Sequence, residues 1–421
     1  MPFSPLQEGK HHIQYSDTPG EVLSPAGLKS GEMAFNVADG KRYMRAAGGN
    51  LMTVSGSVSP QWETSNPEAW PAFQASMEST ISTATLDPSP TTKSMPVDKL
   101  PAGYRITYGC PFGENEVLFM WWHPGVDNGT QGIIWNVETD ETRLTAPLFE
   151  NTRHAFGMAE FENGKILITT YQGGGKNWLY DPATDTAHTY DYLTPATWGQ
   201  NGTFFWGNKR EIAATPDAGI DSFAVYSQDG SYRLVSKNAP YGAHRAGQLM
   251  KNGHVYLFRG TSSYVRATLD PTTGVITYGD PVGYWADTGT LMPDGKVFLM
   301  PYSGNDTRVP GLYDPDTGVI TPCPGGSIGP TGTAWYGAML LPTGHVLIQH
   351  RVDATAYLYD VDTGIVRTDT LPAKSLAPFY AGSGWIVSHV AANDTPPPAY
   401  RTSSDSFSPE VTRSAYFGTW N

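Results

Sequence analysis

The sequence predicts an all-β fold: a seven-bladed β-propeller of four-stranded antiparallel blades, preceded by a small N-terminal β-hairpin module and a short helix. Three observations carry this. The stretch LYDPDTGVI at Leu312 to Ile320 has near-copies at Leu179, Thr268 and Leu358, with weaker matches around Asn136, Ser227 and Asp405. Aligned on Asn136, Asp181, Ser227, Asp270, Asp314, Asp360 and Asp405, the successive spacings are 45, 46, 43, 44, 46 and 45, so one structural unit repeats at a nearly fixed period. The composition agrees, since 46 Gly, 34 Pro and only 16% charged residues suit many short strands joined by turns.

Each unit reads as strand, tight turn, strand, variable loop, strand ending in the Asp motif, and a short fourth strand. The first turn is ENGK at Glu162, KNGH at Lys251, PDGK at Pro293 and PTGH at Pro342, which is hairpin chemistry with Gly supplying positive φ. Four antiparallel strands in about 45 residues, repeated seven times, make a propeller over residues 101–421, whose radial closure removes exposed sheet edges. A solenoid is the runner-up; it would want stricter in-line repeats and dedicated caps.

The Asp motif is expected to be a turn. A calcium loop of the EF-hand type would keep its oxygen ligands, including a distal Glu, whereas the copies drift to DPTTG, DPATD and SQDG. Turn competence is what persists: Asp accepts backbone N–H bonds, Pro presets φ and Gly takes the left-handed position.

Strand order then sorts the molecule into two ends. The one-to-two and three-to-four turns share one end and are short, while the two-to-three loops and the links between blades share the other and are long and irregular. Variable loops on a rigid scaffold are the usual seat of binding. The candidate ligand-binding residues there are Trp122, His123, His154, Tyr171, Trp198, Tyr241, His244, Trp285, Tyr302, Trp335, His350 and Tyr380. Aromatic planes beside hydrogen-bonding groups suit sugars, whose CH faces stack while their hydroxyls pair. The competing use of such residues is to wedge between blades.

Chemistry is not demanded. The histidines, with His389, show no H-x-H or H-E-x-x-H spacing, although ligands from separate blades would need none, so a metal at the channel mouth stays open. Asp127, Asp287 and Asp353 are carboxylates with no evident pairing. No catalytic residue, metal or cofactor is assigned. The two cysteines, Cys110 and Cys323, lie far apart and read as free, partly buried thiols. A net charge of -13 without a basic run argues against nucleic acid. The N-terminus MPFSPLQEGKHH lacks the pattern of a signal peptide, and no window reaches the length of a membrane span, so a soluble product of the cytosol is expected.

Residues 1–60 differ in kind. The stretch from Leu23 to Gly49 alternates apolar and polar residues about Ala38, Asp39 and Gly40, predicting a hairpin of Glu32 to Val37 and Lys41 to Arg45. The pattern carried by Leu28, Lys29, Gly31, Glu32, Ala34, Asn36, Ala38, Asp39, Gly40, Lys41 and Tyr43, with Phe35 among the residues assigned to attachment, resembles a short module near the N-terminus of bacteriophage tail-fibre, head-fibre and receptor-binding proteins. That module helps join the fibre to the particle, and it covers about 25 of the 421 residues. The repeats resemble kelch-like and galactose-oxidase-like propellers only in YDPxTG. The copper site of the latter pairs a Tyr with a Cys, and neither cysteine falls on the loop end in this register.

Residues 61–100 read as a helix and a Pro/Ser/Thr linker. Asn66 can cap, Pro67 suits the first turn, and Trp70, Phe73, Met77 and Ile81 recur at steps of 3, 4 and 4. That apolar stripe can pack on the propeller or join copies of the chain into a stem. The resemblance implies a virion protein that meets other structural proteins through its N-terminus, binds a host-surface polysaccharide or glycan distally, and is a homo-oligomer, a trimer in the favoured form. The alternative is a propeller enzyme, a metal-dependent oxidase or glycan-cleaving enzyme.

Overall fold

The fold was taken from a computed structural model. It describes residues 14–16, 33–36, 41–45 and 51–54, then 69–403 except 124–130, 149–154, 171–176, 191–199, 208–209, 217–221, 237–243, 260–264, 282–285, 302–308, 329–334, 351–353, 372–375 and 390–393. The chain divides into two compact units, Met1–Gln61 and Trp62–Asn421.

The first unit is a four-stranded sheet of β1 (Gln14–Ser16), β2 (Met33–Asn36), β3 (Lys41–Arg45) and β4 (Leu51–Val54), in that order. The hairpin read from the sequence is β2–β3, with Asn36 opposite Lys41 and Met33 opposite Met44. Strand β1 adds in parallel to β2 and β4 antiparallel to β3, two partners that the alternation alone did not reveal. Phe35, Asn36 and Tyr43 of the attachment pattern lie on these strands, while Leu28, Gly31, Glu32, Asp39 and Gly40 lie outside the described residues.

The second unit holds helix α1 (Ala69–Thr83) and seven four-stranded antiparallel blades. Blade one consists of β6 (Arg105–Phe112), β7 (Glu116–Trp122), β8 (Gly132–Asn136) and β9 (Thr142–Leu144), once β5 (Thr91–Ser94) has preceded it in the chain. Blades two to six follow over residues 155–189, 200–236, 244–281, 286–322 and 335–370. First strands of neighbouring blades lie against each other around the axis, and fourth strands form the rim, where exposed Leu234, Val275, Val319 and Val366 sit. Large side chains fill the seams: Trp135, Phe119, Phe161, Trp206, Phe223 and Tyr359 are buried. Several of the aromatics therefore do act as wedges.

Blade seven corrects one expectation. Its first three strands are Leu376–Tyr380, Ile386–His389 and Pro398–Arg401, but its outer strand is β5, which comes from the stretch read as linker. Arg401 lies opposite Thr91 and Pro398 opposite Ser94. The ladder runs on through Met95 N–H to the Pro397 carbonyl (3.0 Å) and Asp87 N–H to the Thr402 carbonyl (2.6 Å). Asp405 lies outside the described residues. The final blade needs a partner for its third strand, and borrowing one from the front of the chain ties the two ends of the ring together. Lys93 strengthens the junction by pairing with Asp140 of blade one (2.9 Å) and sitting 4.3 Å above the Trp385 ring of blade seven.

Helix α1 takes the first of the two uses open to its stripe. Phe73 and Met77 are buried in one hydrophobic cluster with residues of blades three to seven, and Trp70 and Ile81 pack against it. The stripe lies over the one-to-two turns: a Cβ on Gly295 would stand 3.1 Å from the Trp70 ring, and one on Gly344 would stand 3.0 Å from Ile81 Cγ2.

Candidate functional site

The two ends of the propeller are built differently. At the turn end, the hairpins close on themselves. Gly164, Gly253, Gly295 and Gly344 take φ of 80, 81, 83 and 80°, which a side chain rarely tolerates, and each N–H bonds back three residues. The Asp motif is a turn as well. The Asp314 carboxylate accepts the Asp316 N–H (2.9 Å), while Gly318 N–H reaches the Asp314 carbonyl (2.8 Å). Asp270 and Asp360 accept N–H and Thr hydroxyl bonds in the same way. These bonds have an electrostatic signature. The N–H of Asp316 is the main cause holding Asp314 below the usual carboxylate range; at Asp270 and Asp360 partial burial pushes upward, and the turn bonds outweigh it. The motif carboxylates are thus occupied within their own turns.

A cleft of about 560 Å³ also opens toward the turn end, between Asp98, Lys99, Glu116 and Arg143. Its cations are engaged already, Lys99 with the Thr142 carbonyl and Arg143 with Glu116 at 3.8 Å.

At the loop end, every inner strand begins with a register shift. Shifts fall between Ile106 and Tyr108, Ala155 and Gly157, Gln200 and Gly202, His244 and Ala246, Ala286 and Thr288, Trp335 and Ala338, and Leu376 and Pro378. A bulge bends its strand and re-aims a side chain, and bulges gather at barrel rims and active sites. Beyond each shift, the start of the inner strand pairs with the end of the second. The resulting ring is Arg105 with Trp122, Ala155 with Thr170, Gln200 with Pro216, His244 with Arg259, Ala286 with Pro301, Trp335 with His350, and Leu376 with His389.

The ring places four of the sequence candidates. Trp122, His244, Trp335 and His350 are members of it. His154, Trp198, Tyr241 and Trp285 lie one to three residues before an inner strand, and Tyr171 and Tyr302 immediately follow a second strand, all outside the described residues. Tyr380 does not belong. Its strand starts at Leu376, so Tyr380 stands at the turn end, 4% exposed, its hydroxyl bonded to the Leu340 carbonyl (3.2 Å). Burial pushes its pKa far up, and it is a core residue.

His123 is held in detail. Its Nε2 lies 2.8 Å from the Ala102 carbonyl, which can only accept, so Nε2 carries the hydrogen. Sequence reasoning missed that the turn at Ala102 and Gly103 holds it and that Asp394 of blade seven accepts the Gly103 N–H; the place of His123 directly after β7 was the available signal. Of the carboxylates weighed earlier, Asp287 sits at the bulge of blade five, and Asp127 and Asp353 lie outside the described residues. Cys110 is buried in β6, and Cys323 is buried, its thiol pushed up to about 11 chiefly by burial. Among the described residues no three His, Cys, Asp or Glu side chains converge as a metal would need.

The chain matches no protein-family model and no curated protein sequence. Its fold is similar to solved propellers. A streptogramin B lyase aligns with TM-score 0.58 and 11% identity over 74% of this chain and 97% of that one. The catalytically inactive virginiamycin B lyase of Staphylococcus aureus with quinupristin gives 0.59 and 12% over 74% and 99%. The WD40 propeller domain of Doa1 gives 0.52 and 12% over 74% and 99%. At such identities the likeness speaks for the propeller alone.

Proposed function

We propose that this chain is a phage fibre or spike protein of the virion, joined to the particle by its N-terminal unit and binding a host-surface glycan at the loop end of its propeller. One observation carries the binding part: the two ends are unequal. The turn end is closed by self-satisfied turns and covered in part by helix α1, whereas the loop end presents a bulged ring rich in Trp, His and Arg. The particle-joining part rests on the attachment pattern, which falls within a separately folded unit. Several copies on one particle would raise the avidity of a modest single site.

The test uses labelled full-length protein on a panel of bacterial surface polysaccharides. Binding to at least one is expected, with no change in polysaccharide length on incubation. Failure to bind any of them sinks the adhesion reading, and shortening of the bound chain replaces it with a glycan-cleaving enzyme. Incorporation into particles after deletion of residues 1–61 would remove the attachment role.

A further inference from the structure

We propose a specific subsite for one neutral sugar residue at the seam between blades seven and one, formed by Tyr104, Trp121 and His123. It deepens the glycan-binding reading and rests on it for its biological use. The placement follows from register and packing. Ile106 lies opposite Trp121, so the two share one side of blade one; Tyr104 is buried in the same cluster, and His123 lies against Ala102 and Gly103 just before it. That side faces blade seven, because Tyr104 and Ile106 are buried in one cluster with Phe379 and Val387, against which Trp121 packs. Asp394 of blade seven reaches the same spot: it accepts the Gly103 N–H at 2.5 Å and returns its own N–H to the Tyr104 carbonyl at 2.8 Å. Asp394 does this at φ 52°, a conformation uncommon outside glycine.

Among the described residues, three polar atoms in this seam are buried without a hydrogen-bond partner: the Tyr104 hydroxyl, the Trp121 indole Nε1 and the His123 Nδ1. Tyr104 is 3% exposed. Buried polar atoms are almost always hydrogen-bonded, so three bare ones in one seam mark a place where bonds are to be made from outside. Their roles are fixed. Indole N–H donates only, the phenol donates or accepts, and in the tautomer whose Nε2 hydrogen goes to Ala102 the His123 Nδ1 is an acceptor. A pair of sugar hydroxyls accepts from Trp121 and Tyr104 and donates to His123. An anion is opposed by the Asp394 carboxylate at the rim and by the net charge of -13, which selects neutral sugars over uronic or sialic acids.

The test follows the Trp121 fluorine signal of the fluorotryptophan-labelled full chain, identified by its loss in Trp121→Phe. Methyl glucoside, methyl galactoside, methyl mannoside and sodium glucuronate are titrated at millimolar concentration. At least one neutral glycoside should shift that signal and glucuronate should not. Tyr104→Phe should weaken the response about tenfold with the melting temperature unchanged or raised, because it removes only an unpartnered hydroxyl. A signal unmoved by all three neutral sugars, an equal response to glucuronate, or full affinity in Tyr104→Phe would each overturn the subsite. If polysaccharide binding persists while the Trp121 signal stays silent, the loop-end reading survives and the subsite alone falls. If the signal moves but Tyr104→Phe binds polysaccharide normally, the subsite stands and its use in adhesion falls.

Discussion

The turn end and the loop end of this propeller are made from the same strands and do opposite things with their polar groups. At the turn end the carboxylates of the Asp motif and the glycines of the hairpins bond to neighbours within five residues, as in Asp314, Asp316 and Gly318. At the loop end the seven inner strands slip register, and at one seam three polar atoms have no partner among the described residues. The difference teaches where stability and function reside in one scaffold. Groups that satisfy each other hold the fold, and groups left open are free for a ligand.

Substitutions can break that division, beginning with the largest effect. Deleting residues 1–95 removes α1 and the strand that completes blade seven, and should abolish cooperative folding; deleting residues 1–61 should leave the melting temperature of the propeller unchanged, as measured by calorimetry. Next, Phe73→Ala empties a buried position beneath the turn-end helix and should cost about 3 kcal/mol in denaturant unfolding. Polysaccharide affinity should not change. At the opposite end, Trp285→Ala and Trp335→Ala should weaken polysaccharide binding about tenfold, or about 1.4 kcal/mol, while denaturant midpoints stay in place. Lost stability with retained binding would put these residues among the wedges.

How legible each end was in the sequence follows from the same division. Turn chemistry is local, so Asp, Gly and their spacing announced seven blades and the stereotyped end. The closing strand was hidden because Thr91–Ser94 is a polar outer strand with no apolar alternation to betray it. Tyr380 was misplaced because an inner strand of five residues separates the two ends by only four positions, and blade seven starts at an unremarked Leu376. The seam was hidden for another reason. Trp121 and Trp122 are adjacent, and only the register opposite Ile106 and Arg105 tells which of them faces blade seven. Asp394 lies 291 residues beyond the Gly103 it binds, brought there by ring closure alone.

The smallest effect concerns the turns themselves, and blade one supplies an internal control. Asp270, Asp314 and Asp360 titrate below their usual range in the fold, so below about pH 4 the unfolded chain takes up protons more readily than the native one. Their contribution is present above that pH and is lost as the pH falls through their lowered values. Blade one builds the same turn with Asn136, whose side-chain oxygen accepts from Glu138 N–H (3.0 Å) and Thr139 N–H (3.1 Å) without a charge to neutralise. Amide exchange followed from pH 6 to pH 3 should therefore show protection fading at Asp316, Thr272 and Asp362 before it fades at Glu138. In Asp314→Asn the Asp316 amide should come to behave like Glu138, with slightly less protection at neutral pH and a flatter acid limb. Equal fading at all four positions would mean that the carboxylate charge adds nothing to the turn, and that the recurring Asp is kept for the geometry of its acceptor oxygen.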